Sequence, residues 1–137
     1  MLRSGAMGKP CVLIVDRDPV TLMNLEAELG QDFEVLLASD LHEAYELLDE
    51  RDADVCAFVS DLLVHSSKGL RQRPKLLWKR VPSAARIVVT AHENMEQQTI
   101  TGVDTIVNAQ DILAKPWEPG SVLASLHRAL KSPRPAL

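Results

Sequence analysis

Residues 11–19, Cys-Val-Leu-Ile-Val-Asp-Arg-Asp-Pro, form an unbroken apolar run of strand length that ends on two acids flanking an arginine, and then on proline. Apolar residues without alternation indicate a strand buried on both faces, the signature of a parallel sheet covered by helices on each side. Pro19 suits a first helical turn with Asp18 as its N-cap, and Leu22, Leu25 and Leu29 then recur at helical spacing until Gly30 offers a stop.

The same unit repeats along the chain. FEVLLA (33–38) reads as a second strand, and Ser39 or Asp40 caps a helix carrying Leu41, Ala44, Tyr45, Leu47 and Leu48. Val55 to Val59 gives a third strand that again ends on an acid, Asp61. A loop with His65 and Gly69 leads into the basic segment 70–80, whose Leu76, Leu77 and Trp78 are expected to face a core while its Lys and Arg form a solvated helix face. RIVVTA (86–91) is the fourth strand and DILAK (111–115) the fifth, with a weakly periodic helix placed between them at about 94–101. Val122, Leu123, Leu126 and Leu130 mark an amphipathic C-terminal helix. Five strands alternating with five helices, with crossovers long enough for parallel pairing, predict an α/β fold: a doubly wound five-stranded parallel sheet.

The whole-chain figures bound the function. With 137 residues, 15 Lys+Arg, 19 Asp+Glu and a net charge of −4, the chain suits one domain and lacks the basic footprint of direct nucleic-acid binding. No apolar run is long enough for a membrane span, and the first ten residues have no apolar signal-peptide core, so a cytoplasmic location is expected. Residues 1–10 read as a disordered lead-in or an expression remnant, 11–131 as the domain and 132–137 as a C-terminal tail. Cys11 and Cys56 lie within predicted strands without metal-finger spacing and are read as buried reduced thiols. His42, His65, His92 and His127 share no spacing and suggest no catalysis.

In open parallel sheets the site lies beyond the carboxyl ends of the strands. Those ends carry Asp16, Arg17 and Asp18, then Asp61, Thr90 and Lys115. Acids, a hydroxyl and an ammonium suit phosphoryl transfer to a carboxylate: Asp61 as nucleophile, a divalent cation and Lys115 neutralising the phosphoryl oxygens, and Thr90 as donor. Each residue alone has a plain structural reading, Asp61 as a turn cap, Thr90 as a β-branched strand residue and Lys115 as a surface lysine.

Over nearly all of 11–130 the sequence resembles the receiver domain of bacterial two-component response regulators, a flavodoxin-like fold. LIVDRDP resembles the family's first strand with its acid pair, and VSDLLVHSSKG sets Asp61 eight residues before Gly69 as in the phosphoacceptor loop. RIVVTA supplies the switch hydroxyl at Thr90, and LAKPW the Lys-Pro pair at Lys115 and Pro116, whose bond the resemblance implies to be cis. Trp117 is similar to a receiver subset often joined to cyclic-dinucleotide phosphodiesterase outputs. The resemblance implies Asp61 as phosphoacceptor, assisted by Thr90 and Lys115, with Mg2+ held by Asp16, Asp18, Asp61 and the Leu63 backbone carbonyl. The implied partners are a sensor histidine kinase or phosphotransfer protein and an output domain or protein, with room for a homodimer. A receiver is a regulatory domain, at most catalysing its own phosphorylation and dephosphorylation.

The sequence departs from the family where it has Arg17 in place of the second acid. That exchange alters the pocket by two charge units, each interaction worth about 4 kcal/mol at 4 Å for an effective dielectric near 20. Three arrangements are open: Arg17 inward, disabling Mg2+ binding; Arg17 outward with Asp18 as substitute ligand; or Arg17 paired with Asp61. His65 and Lys68 replace a common Pro and acid, and Ile112 stands where an aromatic usually moves with the Thr hydroxyl. Leu63 and His92 are placed to shield a phosphoryl group from water, whereas the small Ala91 leaves it accessible. A phosphorylation-independent interaction module, its pocket altered by Arg17, is the alternative. A small phosphotransfer or nucleotide-binding enzyme is disfavoured because Arg17 and Asp18 run into Pro19 with no Gly-rich loop.

Overall fold

The computed structural model describes residues 8–93 and 108–137. Five parallel strands form one sheet: β1 (Cys11–Val15), β2 (Glu34–Ala38), β3 (Val55–Ser60), β6 (Ala85–Ala91) and β7 (Asp111–Lys115), in the order β2-β1-β3-β6-β7. β4 (Val64–His65) and β5 (Arg71–Gln72) pair separately as a small antiparallel hairpin. Four helices are described: α1 (Pro19–Leu29), α2 (Leu41–Arg51), α3 (Lys75–Trp78) and α4 (Ser121–Leu130). The expected helix at 94–101 lies outside the described residues.

β1 and β3 are buried along their whole length, as their apolar runs require. Side chains alternate across the sheet and feed two cores. Leu13, Val15, Phe58 and Val88 pack with α2 and α3 on one face, whereas Val12, Ile14, Val59 and Ile87 pack with α1 and α4 on the other. Cys11 and Cys56 are free and buried, and burial first, then the neighbouring Glu34 charge, pushes the Cys11 thiol up to about 12. Both therefore behave as inert core residues.

The helix starts are set locally. The Asp18 carboxylate accepts from Val20 N at 3.1 Å with Pro19 in the first turn of α1. At α2, the N-cap Asp40 accepts from Glu43 N at 2.8 Å, while Glu43 reaches one residue further back and accepts from Ser39 N at 2.7 Å, a variant of the capping box.

Segment 70–80 departs from expectation. Only Lys75–Trp78 is helical, because Pro74 lacks an N–H and the preceding residues are held in the hairpin. That hairpin closes through Ser66 N to Leu70 O at 2.8 Å and Gly69 N to Ser66 O at 2.9 Å, with Gly69 at φ +82°, a conformation glycine adopts without a Cβ penalty. Leu77 and Trp78 are buried as expected, but Leu76 points to solvent with 63% of its surface exposed.

Residues 132–137 fold back against the domain. Arg86, only 1% exposed, donates to Pro135 O at 2.7 Å and to Asn108 O at 3.1 Å, with its guanidinium over the Trp78 ring. Leu137 packs on the α2/α3 core. None of the described helices is long and apolar enough to cross a membrane.

Candidate functional site

The parallel register brings the ends of β1, β3, β6 and β7 to one edge. Asp16 follows β1 directly, its N–H bonded to Ala38 O of β2 at 3.1 Å. Asp61 follows β3 in the same way, Thr90 is the penultimate residue of β6 and Lys115 the last of β7.

Four of the expected residues meet there. Lys115 Nζ donates to Asp16 Oδ2 at 2.6 Å and to Asp61 Oδ2 at 2.9 Å. The Thr90 hydroxyl donates to Asp61 Oδ1, which also accepts from Leu62 N at 2.7 Å. The two oxygens of Asp61 thus have different partners, one an ammonium and the other neutral donors. Asp16 is nearly closed off at 5% exposure, but the Asp61 side chain retains 19%, enough for one face of the carboxylate to be reached from solvent.

Two carboxylates and one ammonium share a space largely shielded from water, and the pKa values of Asp16 and Lys115 respond. Burial raises Asp16 above the ordinary carboxylate range, although its bonds to Lys115 and to Asp18 N pull the other way. For Lys115 burial is the largest influence and lowers the pKa. The hydrogen bonds and charges of Asp16 and Asp61 together outweigh it, so the ammonium is held above its usual value. With all three ionised the cluster carries one net negative charge.

Asp18 is not brought into this cluster. Its carboxylate is committed to α1, accepting from Val20 N at 3.1 Å and from Thr21 Oγ1 at 3.0 Å, and only its N–H turns inward, to Asp16 Oδ1 at 2.8 Å. The N-cap reading of Asp18 holds, and the substitute-ligand reading meets a carboxylate already engaged. Arg17 is exposed and makes no ion pair with any described residue, so the pairing with Asp61 does not form. Instead it borders a cleft of about 210 Å3 with Ser39, Asp40 and His65. Leu63 is half-buried beside Asp61 and His92 is exposed, whereas Ile112 packs against the α2/α3 core. The Lys115–Pro116 bond is cis.

Sequence reasoning missed Glu28. From α1 its carboxylate accepts from Trp117 Nε1 at 3.1 Å, Gly120 N at 2.9 Å and Leu123 N at 2.9 Å. It ties the loop after Lys115 to α1 and caps α4, whose own N-cap Gly120 has no side chain to do so. The available signal was that bare N-cap, whose N–H groups require an acceptor oxygen from elsewhere.

The resemblance implies a magnesium ion, so the donor set has to suit one. Asp16, Asp61 and the Leu63 carbonyl are hard oxygen donors, enough for an ion that keeps several waters. Among the described residues no group of three or more acidic, His or Cys side chains is placed to hold a metal. By donor type the set would suit a Mg2+ ion that keeps several waters, with Asp18, the third carboxylate that the resemblance implies, engaged at the start of α1.

An open parallel sheet with an acid pocket closed by a lysine and a threonine hydroxyl is the arrangement that the resemblance to receivers implies. The response regulator receiver domain model matches residues 12–127, and the chain belongs to that family, that of two-component signalling. Among solved structures it is similar to the signal receiver domain of an HD domain-containing protein from Pseudomonas fluorescens Pf-5. That match has 25% identity and a TM-score of 0.70, and covers 90% of this chain and 95% of that one. The non-phosphorylated HemR receiver domain from Leptospira biflexa has 23% identity and a TM-score of 0.65, with 94% and 100% covered. A receiver domain protein from Clostridium thermocellum has 21% identity and a TM-score of 0.68, with 88% and 94% covered. No curated protein matches the chain.

Proposed function

We propose that this receiver takes a phosphoryl group on Asp61 from a sensor histidine kinase or phosphotransfer protein and relays the change to an output domain or partner. The observation that carries the reading is the division of labour at Asp61, where Lys115 and Thr90 bind separate oxygens of one partly exposed carboxylate. In transfer from a phosphohistidine, an Asp61 oxygen attacks phosphorus as the P–N bond breaks. The P–O bond forms, and the electron pair leaves with the imidazole. Lys115 compensates the charge gathering on the phosphoryl oxygens, and the Thr90 hydroxyl, released from Asp61, donates to one of them. Asp16 keeps the ammonium aligned through the bond at 2.6 Å. A magnesium ion, held by Asp16, Asp61 and the Leu63 carbonyl, would supply further neutralisation of those oxygens when bound.

The phosphorylation-independent alternative rested on Arg17 neutralising the pocket. Its exposed position and the absence of any ion pair to Asp61 favour the phosphoacceptor reading. The function is regulatory, with chemistry confined to the domain's own aspartyl phosphate.

Intact-mass spectrometry after incubation with acetyl phosphate tests this on the parent chain and Asp61→Asn, with and without Mg2+. One phosphoryl adduct on the parent, absent from the variant, is expected. An unmodified parent under every condition would overturn the proposal.

A further inference from the structure

Between Asp61 and Glu93 the sequence has no acidic residue and seven cations, in a chain whose net charge is −4. Arg86 is buried and Arg80 is paired with Asp49 of α2 at 2.7 Å. The other five, Lys68, Arg71, Arg73, Lys75 and Lys79, lie on the β4–β5 hairpin and α3 and make no ion pair among the described residues. Two leucines stand among them, Leu70 at 64% exposure and Leu76 at 63%. They are the two most exposed large apolar side chains among the described residues, ahead of Val20 and Met23 on α1, and both stand among the five cations.

The complementary surface is on the same chain, along α2 and the edge strand β2. α2 packs beside α3, and along its outer side a groove of about 210 Å3 has Leu37 and Leu47 within it and Glu43, Glu46 and Glu50 around it. Of the charged residues lining that groove, all are acidic. One edge of α2 therefore offers a recess with two leucines among three carboxylates, and the hairpin and α3 offer two exposed leucines among ammonium and guanidinium groups. Glu50 makes no ion pair among the described residues, and Glu46 is matched only by the exposed His42.

We propose that the β4–β5/α3 face docks on the α2 groove of a second copy of this chain, Leu70 and Leu76 entering the recess and the five cations facing its acidic rim. Opposite charge on two separate strips of one chain lets the cationic strip of one copy meet the acidic groove of another, the condition for a homomeric contact. The proposal uses none of Asp16, Asp61, Thr90 and Lys115, so it does not rest on phosphoryl transfer at Asp61. Because the rim is exposed, its attraction is screened by salt.

Sedimentation velocity on the full chain across a concentration series tests the proposal. The parent should self-associate at low salt, with the midpoint moved at least about tenfold upward at roughly 1 M NaCl, where the Debye length is about 3 Å. Arg71→Glu/Arg73→Glu and Glu46→Lys/Glu50→Lys should each be folded monomers by circular dichroism, since all four positions are exposed. An equimolar mixture of the two should recover a heterodimer, because each variant then presents the charge its partner needs. A monomeric parent at every concentration, or association that neither pair of substitutions weakens, would overturn it. A monomer that instead binds poly-glutamate through the cationic strip would assign the face to a different acidic partner and equally overturn self-docking.

Discussion

Lys115 Nζ lies 2.6 Å from Asp16 Oδ2 and 2.9 Å from Asp61 Oδ2, so one ammonium at the end of edge strand β7 reaches past β6 to serve carboxylates from β1 and β3. Removing it leaves two like charges facing each other, one of them in a site only 5% exposed. Stranding buried charge is costlier than the net worth of the pair. Lys115→Met should therefore destabilise the fold by about 2–3 kcal/mol, toward the low end of the buried range because Lys115 and Asp61 retain some solvent. Urea denaturation at neutral pH reads the loss, and an unchanged midpoint would show that the ammonium has no structural part.

The same cluster fixes the direction of two pH dependences. Asp16 has a folded pKa raised by burial, so the folded chain binds its proton more tightly than the unfolded chain does. Stability from this group thus falls as pH rises from the ordinary carboxylate range through the raised value. Lys115 is also raised, and its contribution is full below the ordinary lysine range and lost as pH climbs through the higher folded value. Thermal melts of the parent should show both slopes. Asp16→Asn should lose the acid-side slope, and Lys115→Met the alkaline one.

Arg17 stands at the rim, exposed and unpaired among the described residues, so its effect on a cation at Asp16 and Asp61 is long-range repulsion through solvent. Arg17→Asp reverses that charge and adds a hard oxygen. It should tighten Mg2+ binding by about tenfold, roughly 1.4 kcal/mol, with the gain shrinking in high salt. Isothermal titration calorimetry with MgCl2 checks this, and equal affinities would show that Arg17 does not restrain the metal.

Legibility in the sequence followed the length scale of the cause. The runs at 11–15 and 55–59 revealed buried parallel strands because burial on both faces leaves no choice of residue, and the acids after them were placed by the strand ends alone. Asp18 was readable as a cap because capping is local. Its two expected roles conflicted, and the helix took the carboxylate because Val20 N and Thr21 Oγ1 are covalently close. What escaped depended on tertiary geometry. The apolar triplet at 76–78 does not disclose which member turns outward, since a single helical turn after Pro74 carries no periodicity. Arg86 reads as an ordinary charged strand residue, yet it is buried on carbonyls of residues 22 and 49 positions away. Glu28 likewise acts on partners 89–95 positions distant, beyond any local pattern.

That long-range role of Glu28 gives the last expectation. Its carboxylate satisfies two N–H groups at the start of α4 and the Trp117 indole, and among the described residues no other side chain caps that helix. Losing a helix cap costs about 1 kcal/mol and a further hydrogen bond about as much again, so Glu28→Ala should destabilise by about 1–2 kcal/mol. Glu28→Gln retains one carbonyl oxygen and should recover part of the difference, because an amide can accept from one side only. Neither change touches Asp61, Thr90 or Lys115 directly, so phosphoryl uptake from acetyl phosphate should survive in both variants while the melting midpoint falls. A Glu28→Ala chain that melts with the parent would show that solvent caps α4 as well as the carboxylate does. Loss of uptake without loss of stability would instead show that the loop after Lys115 needs Glu28 to hold the ammonium in place.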